Sequence, residues 1–128
     1  MIPVITIEGA TASGKSALAI ALAESLCTEI ISADSRQVYR YLDIGTAKVA
    51  KAEQQRAKHH LLDIINPDET YNAGSFAADA EKIITSLHSE GKIPIICGGT
   101  GLYIKALLNG LFTLPPLPTK IRYDLKQR

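Results

Sequence analysis

The sequence predicts an α/β fold in which helices cover both faces of a mostly parallel sheet. Three short apolar runs, at residues 2–7, 29–33 and 93–97, are typical of strands buried in such a sheet. Segments of helix-forming composition lie between these runs, so that strands and helices alternate along the chain. The 128 residues are 46% hydrophobic and 21% charged, a balance that supports one ordinary core. We therefore expect a three-layer α/β domain.

A glycine-rich loop joins the first predicted strand to the first predicted helix, which covers 15–26. Residues 9–16 match the pattern G-x-x-x-x-G-K-[ST]. After a strand and before a helix, this loop binds phosphate through its N–H groups and the helix N-terminus, which predicts a P-loop NTPase-like fold. Lys15 adds a positive charge, and Ser16 offers a hydroxyl to Mg²⁺. The predicted phosphate-binding residues are Gly9, Ala10, Thr11, Ala12, Ser13, Gly14, Lys15 and Ser16.

The middle of the chain continues the alternation. In order, it predicts a strand over 29–33, a charged surface helix over 47–58 and a short extended piece over 59–65. Asn72 is placed to cap an amphipathic helix over 73–90, and Gly91 is placed to end it. The predicted apolar face of this helix consists of Phe76, Ala80, Ile83, Ile84 and Leu87.

The last third predicts one more strand, over 93–97, and a helix that runs to about Asn109 and is closed by Gly110. Prolines at 115, 116 and 118 predict a stiff linker. The composition of 119–128 predicts the beginning of a further helix. We therefore expect a P-loop core domain over 1–118, and the start of a truncated helical region over 119–128.

Charge and composition narrow the class of protein. The net charge of +1 shows no overall basic character, so a nucleic-acid partner would need a local patch. No apolar run reaches the roughly 20 residues that span a bilayer, and no signal peptide is evident. Cys27 and Cys97 are predicted to be buried thiols in a reducing compartment. We expect a cytoplasmic protein, monomeric and without membrane contact.

Polar residues follow three of the predicted strands, at 9–16, 34–37 and 98–101. The carboxyl ends of parallel strands share one edge of the sheet, and ligands bind in the crevice there. Asp34 is then a carboxylate close to a bound phosphate, although a helix cap for the following segment is the alternative.

An expected acidic residue is missing after the strand 93–97. Nucleotide hydrolases usually carry an aspartate at such a strand end to hold Mg²⁺, whereas this strand runs into Gly-Gly-Thr. Asp63 is either a substitute or a turn residue. The pattern weakens the case for ATP hydrolysis and leaves open a loop that grips a phosphate leaving group.

Three weaker groups of candidates have alternative interpretations. His59 and His60 are adjacent on a predicted strand, so their side chains point to opposite faces, which argues against a shared metal. The basic residues of the surface helix contact either nucleic-acid phosphate or solvent: Lys48, Lys51, Arg56 and Lys58. Four tyrosines either pack half-buried or stack on bases: Tyr39, Tyr41, Tyr71 and Tyr103.

Taken together, five segments resemble tRNA dimethylallyltransferases in residue identity, order and spacing. They are Gly9–Ser16, Ile31–Tyr39, Asp43–Lys48, His60–Ile64 and Gly98–Tyr103. Family members are more than twice as long, and their further part holds a helical insertion that grips tRNA and a phosphate-binding arginine. Ala10 and Val49 stand where the family commonly has proline, and neither departure removes a functional group.

The resemblance implies transfer of a dimethylallyl group from dimethylallyl diphosphate to N6 of adenosine 37 in tRNA, beside the anticodon. The P-loop would then grip the diphosphate, with Mg²⁺ as cofactor, in place of ATP. Thr100 would give a hydroxyl to the departing oxygen, and Asp34 would act as general base. This segment alone is expected to be inactive, because the remaining catalytic residues belong to the part it lacks.

The same resemblance implies contacts with the tRNA anticodon loop by Asp34, Ser35, Arg36, Gln37, Thr100 and Arg122. For Arg122 the alternative is a solvated arginine on a helix. Three other functions stay open at this point. They are an adenylate isopentenyltransferase that acts on a free nucleotide, a small ATP-binding P-loop kinase that phosphorylates a metabolite, and a fragment that binds nucleotide or diphosphate without turnover.

Overall fold

Five parallel strands form one sheet in the order β3-β2-β4-β1-β5. The computed structural model describes residues 4–9, 15–34, 51–62, 70–112 and 120–125. The strands are β1 (Val4–Gly9), β2 (Ile30–Ser32), β3 (His59–His60), β4 (Ile95–Gly98) and β5 (Lys120–Leu125). The helices are α1 (Lys15–Leu26), α2 (Lys51–Arg56), α3 (Ala73–Ser89) and α4 (Gly101–Phe112). The predicted α/β fold with a parallel sheet is confirmed.

Helices cover both faces of this sheet, as the continuous apolar strands require. Along β4, Ile95 and Cys97 join a core with α1, whereas Ile96 between them joins a core with α3 and α4. The α1 side contains Ile5, Ile7, Ala19, Ile20, Ala23, Ile30, Ala57, Ile95 and Cys97. The α3–α4 side contains Val4, Ile31, Ala33, Leu61, Phe76, Ala80, Ile84, Ile96, Tyr103, Ile104, Leu107 and Leu108. The three predicted layers are therefore present.

Helix α3 begins and ends as the sequence predicts. The Asn72 side chain accepts a hydrogen bond of 2.9 Å from the backbone N–H of Ser75, which confirms the cap. Gly91 has a φ of +74°, a conformation that ends helices and favours glycine. On the predicted apolar face, four residues are buried and Ile83 is half-buried against the core.

The predicted helix over 119–128 is wrong where the structure describes it. Residues 120–125 form β5, which pairs in parallel with β1 from Val4 opposite Lys120 to Gly9 opposite Leu125. Apolar and polar residues alternate along this segment, which is the strand period, and β1 offers it a row of backbone hydrogen bonds. These six residues belong to the core sheet, not to a separate helical region.

Smaller corrections concern Gly110 and Cys27. Helix α4 continues through Gly110 to Phe112, because one helical glycine costs only about 1 kcal/mol against the packing of the helix. A Cβ at position 110 would lie 2.6 Å from Oε1 of Glu81 on α3. Cys27 directly follows the end of α1, where it is exposed and has a φ of 51°, so the prediction that it is buried is wrong, whereas Cys97 is buried as predicted.

Other boundaries shift by a few residues. The predicted surface helix over 47–58 is observed as Lys51–Arg56, and residues 47–50 lie outside the described part of the chain. The proline linker also lies outside it. Within the described ranges, no helix has the length and apolar character needed to cross a membrane.

Candidate functional site

The carboxyl ends of β1, β2 and β4 meet at one edge of the sheet, as predicted. Strand β4 lies between the other two, with Gly98 opposite Glu8 and Cys97 opposite Ser32. Just past β2, the Ala33 N–H donates a hydrogen bond of 2.9 Å to the Cys97 carbonyl oxygen. Neighbouring strands with ends at the same level bring their following residues together.

A second backbone hydrogen bond joins Thr100 to the residue before Asp34. The N–H of Thr100 donates to the carbonyl oxygen of Ala33 at 3.2 Å, and Asp34 is the next residue along the chain. Both Asp34 and Thr100 are partly buried. The structure therefore brings together a carboxylate and a hydroxyl residue that lie far apart in sequence.

Two glycines, the last residue of β4 and the one after it, permit this close approach. A Cβ at Gly98 would overlap the backbone carbonyl of Ala33, so any side chain would force β2 and β4 apart. At Gly99 a Cβ would lie 3.1 Å from the carbonyl oxygen of Gly9, at the end of β1. From the sequence, 98–101 are predicted only to line the crevice; the pair of glycines at the end of a buried strand is the signal for this close approach.

Two helices begin at this edge and cover opposite faces of the sheet. Helix α1 follows β1, helix α4 follows β4, and these two strands are neighbours. A crevice of this kind, where successive connections leave in opposite directions, is the usual ligand position in open α/β sheets. Helix N-termini carry partial positive charge and N–H donors, so the arrangement suits an anionic ligand.

The first turn of α4 belongs to this edge. The Thr100 carbonyl accepts hydrogen bonds from the N–H groups of Tyr103, at 3.0 Å, and Ile104, at 3.4 Å. Leu102 in the same turn is 67% exposed, although it is a large apolar residue.

The predicted phosphate-binding loop is described only at its two ends. Gly9 ends β1, and Lys15 and Ser16 begin α1. Residues 10–14 lie outside the described residues. The same holds for four other candidates: Ser35, Arg36, Gln37 and Asp63.

Arg122 occupies a different place from the other predicted site residues. It lies inside β5 and pairs in register with Thr6, whereas β1 ends at Gly9, three residues further on. Its backbone therefore sits away from the edge where Asp34 and Thr100 meet.

The two histidines have protein partners at the other end of the sheet. His59 Nδ1 lies 2.8 Å from the Ala57 carbonyl oxygen, and His60 Nε2 lies 2.6 Å from Oε1 of Glu29. Burial raises the pKa of Glu29, but the bond to His60 and the charges of Lys58 and Lys92 outweigh it, so the pKa lies below its ordinary value. Among the described residues, no group of three His, Cys, Asp or Glu side chains could hold a metal.

The structure shows the contacts or burial of three of the remaining basic and aromatic candidates. Arg56 forms an exposed ion pair of 2.6 Å with Glu24, as in an ordinary solvated helix face. Tyr103 is 5% exposed and therefore packs in the core. Tyr71 is half-buried, and its hydroxyl donates to Asp79 at 2.7 Å; burial, followed by Asp79, raises the pKa of Tyr71. Tyr39, Tyr41 and Lys48 lie outside the described residues.

Comparison with known proteins gives one consistent family. A sequence model described as IPP transferase matches residues 37–128. The tRNA dimethylallyltransferase of Desulfotalea psychrophila is 48% identical over 125 residues, which are 98% of this chain and 40% of that protein.

Solved structures agree with this result. The full-length tRNA isopentenylpyrophosphate transferase of Bacillus halodurans superimposes with a TM-score of 0.81 at 40% identity, over 91% of this chain and 37% of its own. A eukaryotic dimethylallyltransferase described as acting on tRNA gives 0.80 at 38% identity, over 85% and 27%. The chain thus spans about two fifths or less of the length of these relatives.

Proposed function

The chain belongs to the IPP transferase family, and we propose on this premise that the protein prenylates tRNA. The dimethylallyl group of dimethylallyl diphosphate would pass to N6 of adenosine 37 beside the anticodon, with release of diphosphate. The observation that carries this proposal is the hydrogen bond between Thr100 and Ala33, which places Thr100 and Asp34 together at the edge where the P-loop begins.

The P-loop grips the diphosphate of the donor. Lys15 supplies positive charge at the start of α1, where N–H groups and the helix dipole also favour an anion. As the allylic C–O bond breaks, its electron pair goes to the oxygen of the departing diphosphate. Groups already placed around that oxygen stabilise the developing charge without rearrangement.

Magnesium is the metal that this site would suit. Lys15 and Ser16 begin α1, so the Ser16 hydroxyl would be the protein's oxygen ligand, beside the phosphate oxygens of the donor. Mg²⁺ prefers such hard oxygen ligands and commonly bridges protein and phosphate. Ser16 would hold the ion, which neutralises charge on the diphosphate when bound.

Asp34 and Thr100 would act on the two reacting groups, the adenine amine and the departing diphosphate oxygen. The N6 amine of adenine attacks the allylic carbon, forms the new C–N bond and loses a proton, which the Asp34 carboxylate accepts. The Thr100 hydroxyl donates a hydrogen bond to the departing oxygen. Thr100 is bonded to the carbonyl of Ala33, the residue before Asp34, so the proton acceptor and the hydrogen-bond donor would act in one crevice, each on a different substrate.

The tRNA contacts follow the same edge. Ser35, Arg36 and Gln37 come directly after Asp34 and would meet the anticodon loop, with Arg122 as a more distant contact. A base inside a folded loop must be turned outward to reach a crevice of this kind. We propose a monomeric protein that acts in the cytoplasm; sedimentation equilibrium of the purified chain measures its oligomeric state.

Calorimetric titration with dimethylallyl diphosphate and with ATP, each with Mg²⁺, tests the proposal on this chain. We expect tighter binding of dimethylallyl diphosphate. Tighter binding of ATP with release of phosphate would contradict prenyl transfer and support a kinase. In the whole enzyme, transfer to AMP without transfer to tRNA would instead indicate an adenylate isopentenyltransferase.

A further inference from the structure

Tyr103 is held by aromatic and polar contacts at the beginning of α4. Its ring is buried and stacks on Phe76 of α3, with centroids 5.0 Å apart and planes 20° apart. It also meets the Tyr71 ring edge-on, at a centroid distance of 6.2 Å. The Tyr103 hydroxyl donates a hydrogen bond of 3.3 Å to the Tyr71 carbonyl oxygen, just before the Asn72 cap of α3. The side chain therefore ties the start of α4 to the start of α3.

The backbone of Tyr103 extends this connection to Thr100. The Tyr103 N–H donates to the Thr100 carbonyl oxygen at 3.0 Å. Thr100 in turn donates its own N–H to the Ala33 carbonyl oxygen at 3.2 Å, directly before Asp34. A series of hydrogen bonds thus leads from the start of α3, through Tyr103 and Thr100, to Ala33, the residue directly before Asp34.

The neighbours of Thr100 make such an anchor necessary. Gly99 and Gly101 flank it, so neither neighbour has a side chain that could hold Thr100 in place. A departing oxygen is stabilised only by a donor whose position is already set. Core packing alone would be satisfied by phenylalanine at position 103, whereas the tyrosine hydroxyl adds a directional bond that fixes the orientation of the turn.

We propose that Tyr103 is a positioning residue for Thr100. It acts through the first turn of α4 and does not touch substrate. The proposal rests on the proposed function, which gives Thr100 its contact with the departing diphosphate oxygen.

The first test compares Tyr103→Phe with Tyr71→Phe. Tyr103→Phe keeps the stacked ring and removes the bond to the Tyr71 carbonyl. Tyr71→Phe is the matched control, since it removes a hydroxyl that bonds Asp79 and keeps that carbonyl. Hydrogen exchange of the Thr100 amide should accelerate in Tyr103→Phe only. The amide of Ala33, bonded to Cys97, should exchange at its wild-type rate in both variants.

The second test is a double-mutant cycle on binding of dimethylallyl diphosphate with Mg²⁺ to this chain. We expect Tyr103→Phe to weaken binding by roughly two- to tenfold, the usual value of one hydrogen bond. If the loss passes through Thr100, adding Tyr103→Phe to Thr100→Val should cause no further loss.

An equal loss from Tyr103→Phe in both backgrounds would overturn the positioning role, as would an unchanged exchange rate at Thr100. Failure of the wild-type chain to bind dimethylallyl diphosphate would count against the proposed function instead. The exchange comparison would then still decide whether Tyr103 positions Thr100.

Discussion

The two ends of the sheet are held together in different ways. At the carboxyl end, backbone atoms join the strands: Ala33 bonds Cys97 at 2.9 Å, and Thr100 bonds Ala33 at 3.2 Å. Gly98 permits this spacing, because it has no Cβ to meet the Ala33 carbonyl. Backbone contacts of this kind do not depend on the chemistry of the neighbouring side chains.

At the amino end, backbone hydrogen bonds are accompanied by a cluster of charged side chains. This amino-end cluster consists of Glu29, His60, Glu90 and Lys92. Glu29 lies 2.6 Å from His60 and 3.7 Å from Lys92, which lies 3.4 Å from Glu90. These contacts connect the start of β2 with β3 and with the segment between α3 and β4.

This difference predicts that polar side chains at the carboxyl end serve ligand binding and turnover, whereas those at the amino end serve stability. Where backbone atoms join the strands, substitution of a polar side chain should change ligand binding or turnover more than stability. Where side chains join them, a similar substitution should change stability alone. Four substitutions test this comparison.

Asp34→Asn at the carboxyl end should have the largest effect. It keeps the shape of the side chain but removes the proton acceptor, so single-turnover prenylation by the whole enzyme should fall by about 10²–10⁴. Diphosphate binding and melting temperature should stay close to wild type. A lower melting temperature with nearly normal turnover would show that Asp34 is a structural cap.

Gly98→Ala should destabilise the fold by about 3 kcal/mol, because its Cβ would overlap backbone atoms of Ala33 that cannot rotate away. Gly101→Ala is the matched control, since no atom lies within 4 Å of a Cβ there, and its effect should stay within about 1 kcal/mol. Urea unfolding of both variants measures the difference. Equal stabilities would mean that the ends of β2 and β4 separate easily, and would contradict the need for glycine at position 98.

Lys15→Ala should weaken diphosphate binding at least about tenfold, since a charge-assisted contact contributes roughly 1.5–3 kcal/mol. Lys82→Ala is the matched control, because it removes an equal charge at an exposed position of α3, away from the carboxyl end of the sheet. This variant should bind diphosphate as tightly as wild type does. Calorimetry with inorganic diphosphate and Mg²⁺ compares them. An unchanged dissociation constant in Lys15→Ala would place the anion site elsewhere.

Glu29→Gln in the amino-end cluster should have the smallest effect, at most about 1 kcal/mol of stability at neutral pH. The folded-state pKa of Glu29 lies below its ordinary value of 4.5. The contribution of the ionised Glu29 carboxylate to folding stability is therefore present above pH 4.5 and is lost as the pH falls through the folded-state pKa. Urea unfolding of wild type and Glu29→Gln should differ at pH 7 and converge in acid.

Diphosphate binding by Glu29→Gln is the measurement to compare with its stability. Glu29→Gln should bind diphosphate as wild type does, because the amino end lies away from the P-loop. Glu90→Gln, which changes a more exposed carboxylate 3.4 Å from Lys92, should lose less stability than Glu29→Gln. A larger effect on diphosphate binding than on stability would break the proposed separation of the two ends.

Much of the fold and part of the site follow from local features of the sequence. The apolar runs and helical segments predict the alternation of strands and helices, and Asn72 and Gly91 predict the limits of α3. The P-loop pattern and the polar residues after each strand predict one shared edge. These inferences hold because side-chain periodicity, capping and backbone conformation depend on residues close together in the chain.

Three features were decided only by the tertiary structure. Residues 120–125 form a strand and not a helix, α4 continues through Gly110, and position 98 requires glycine. Each depends on a partner distant in sequence: β1 offers an edge to β5, α3 packs on α4, and Ala33 approaches Gly98. Such contacts form only once the strand order is set. Local propensity, which contributes less than one kcal/mol for most residues, is then outweighed by packing and by hydrogen bonds between strands.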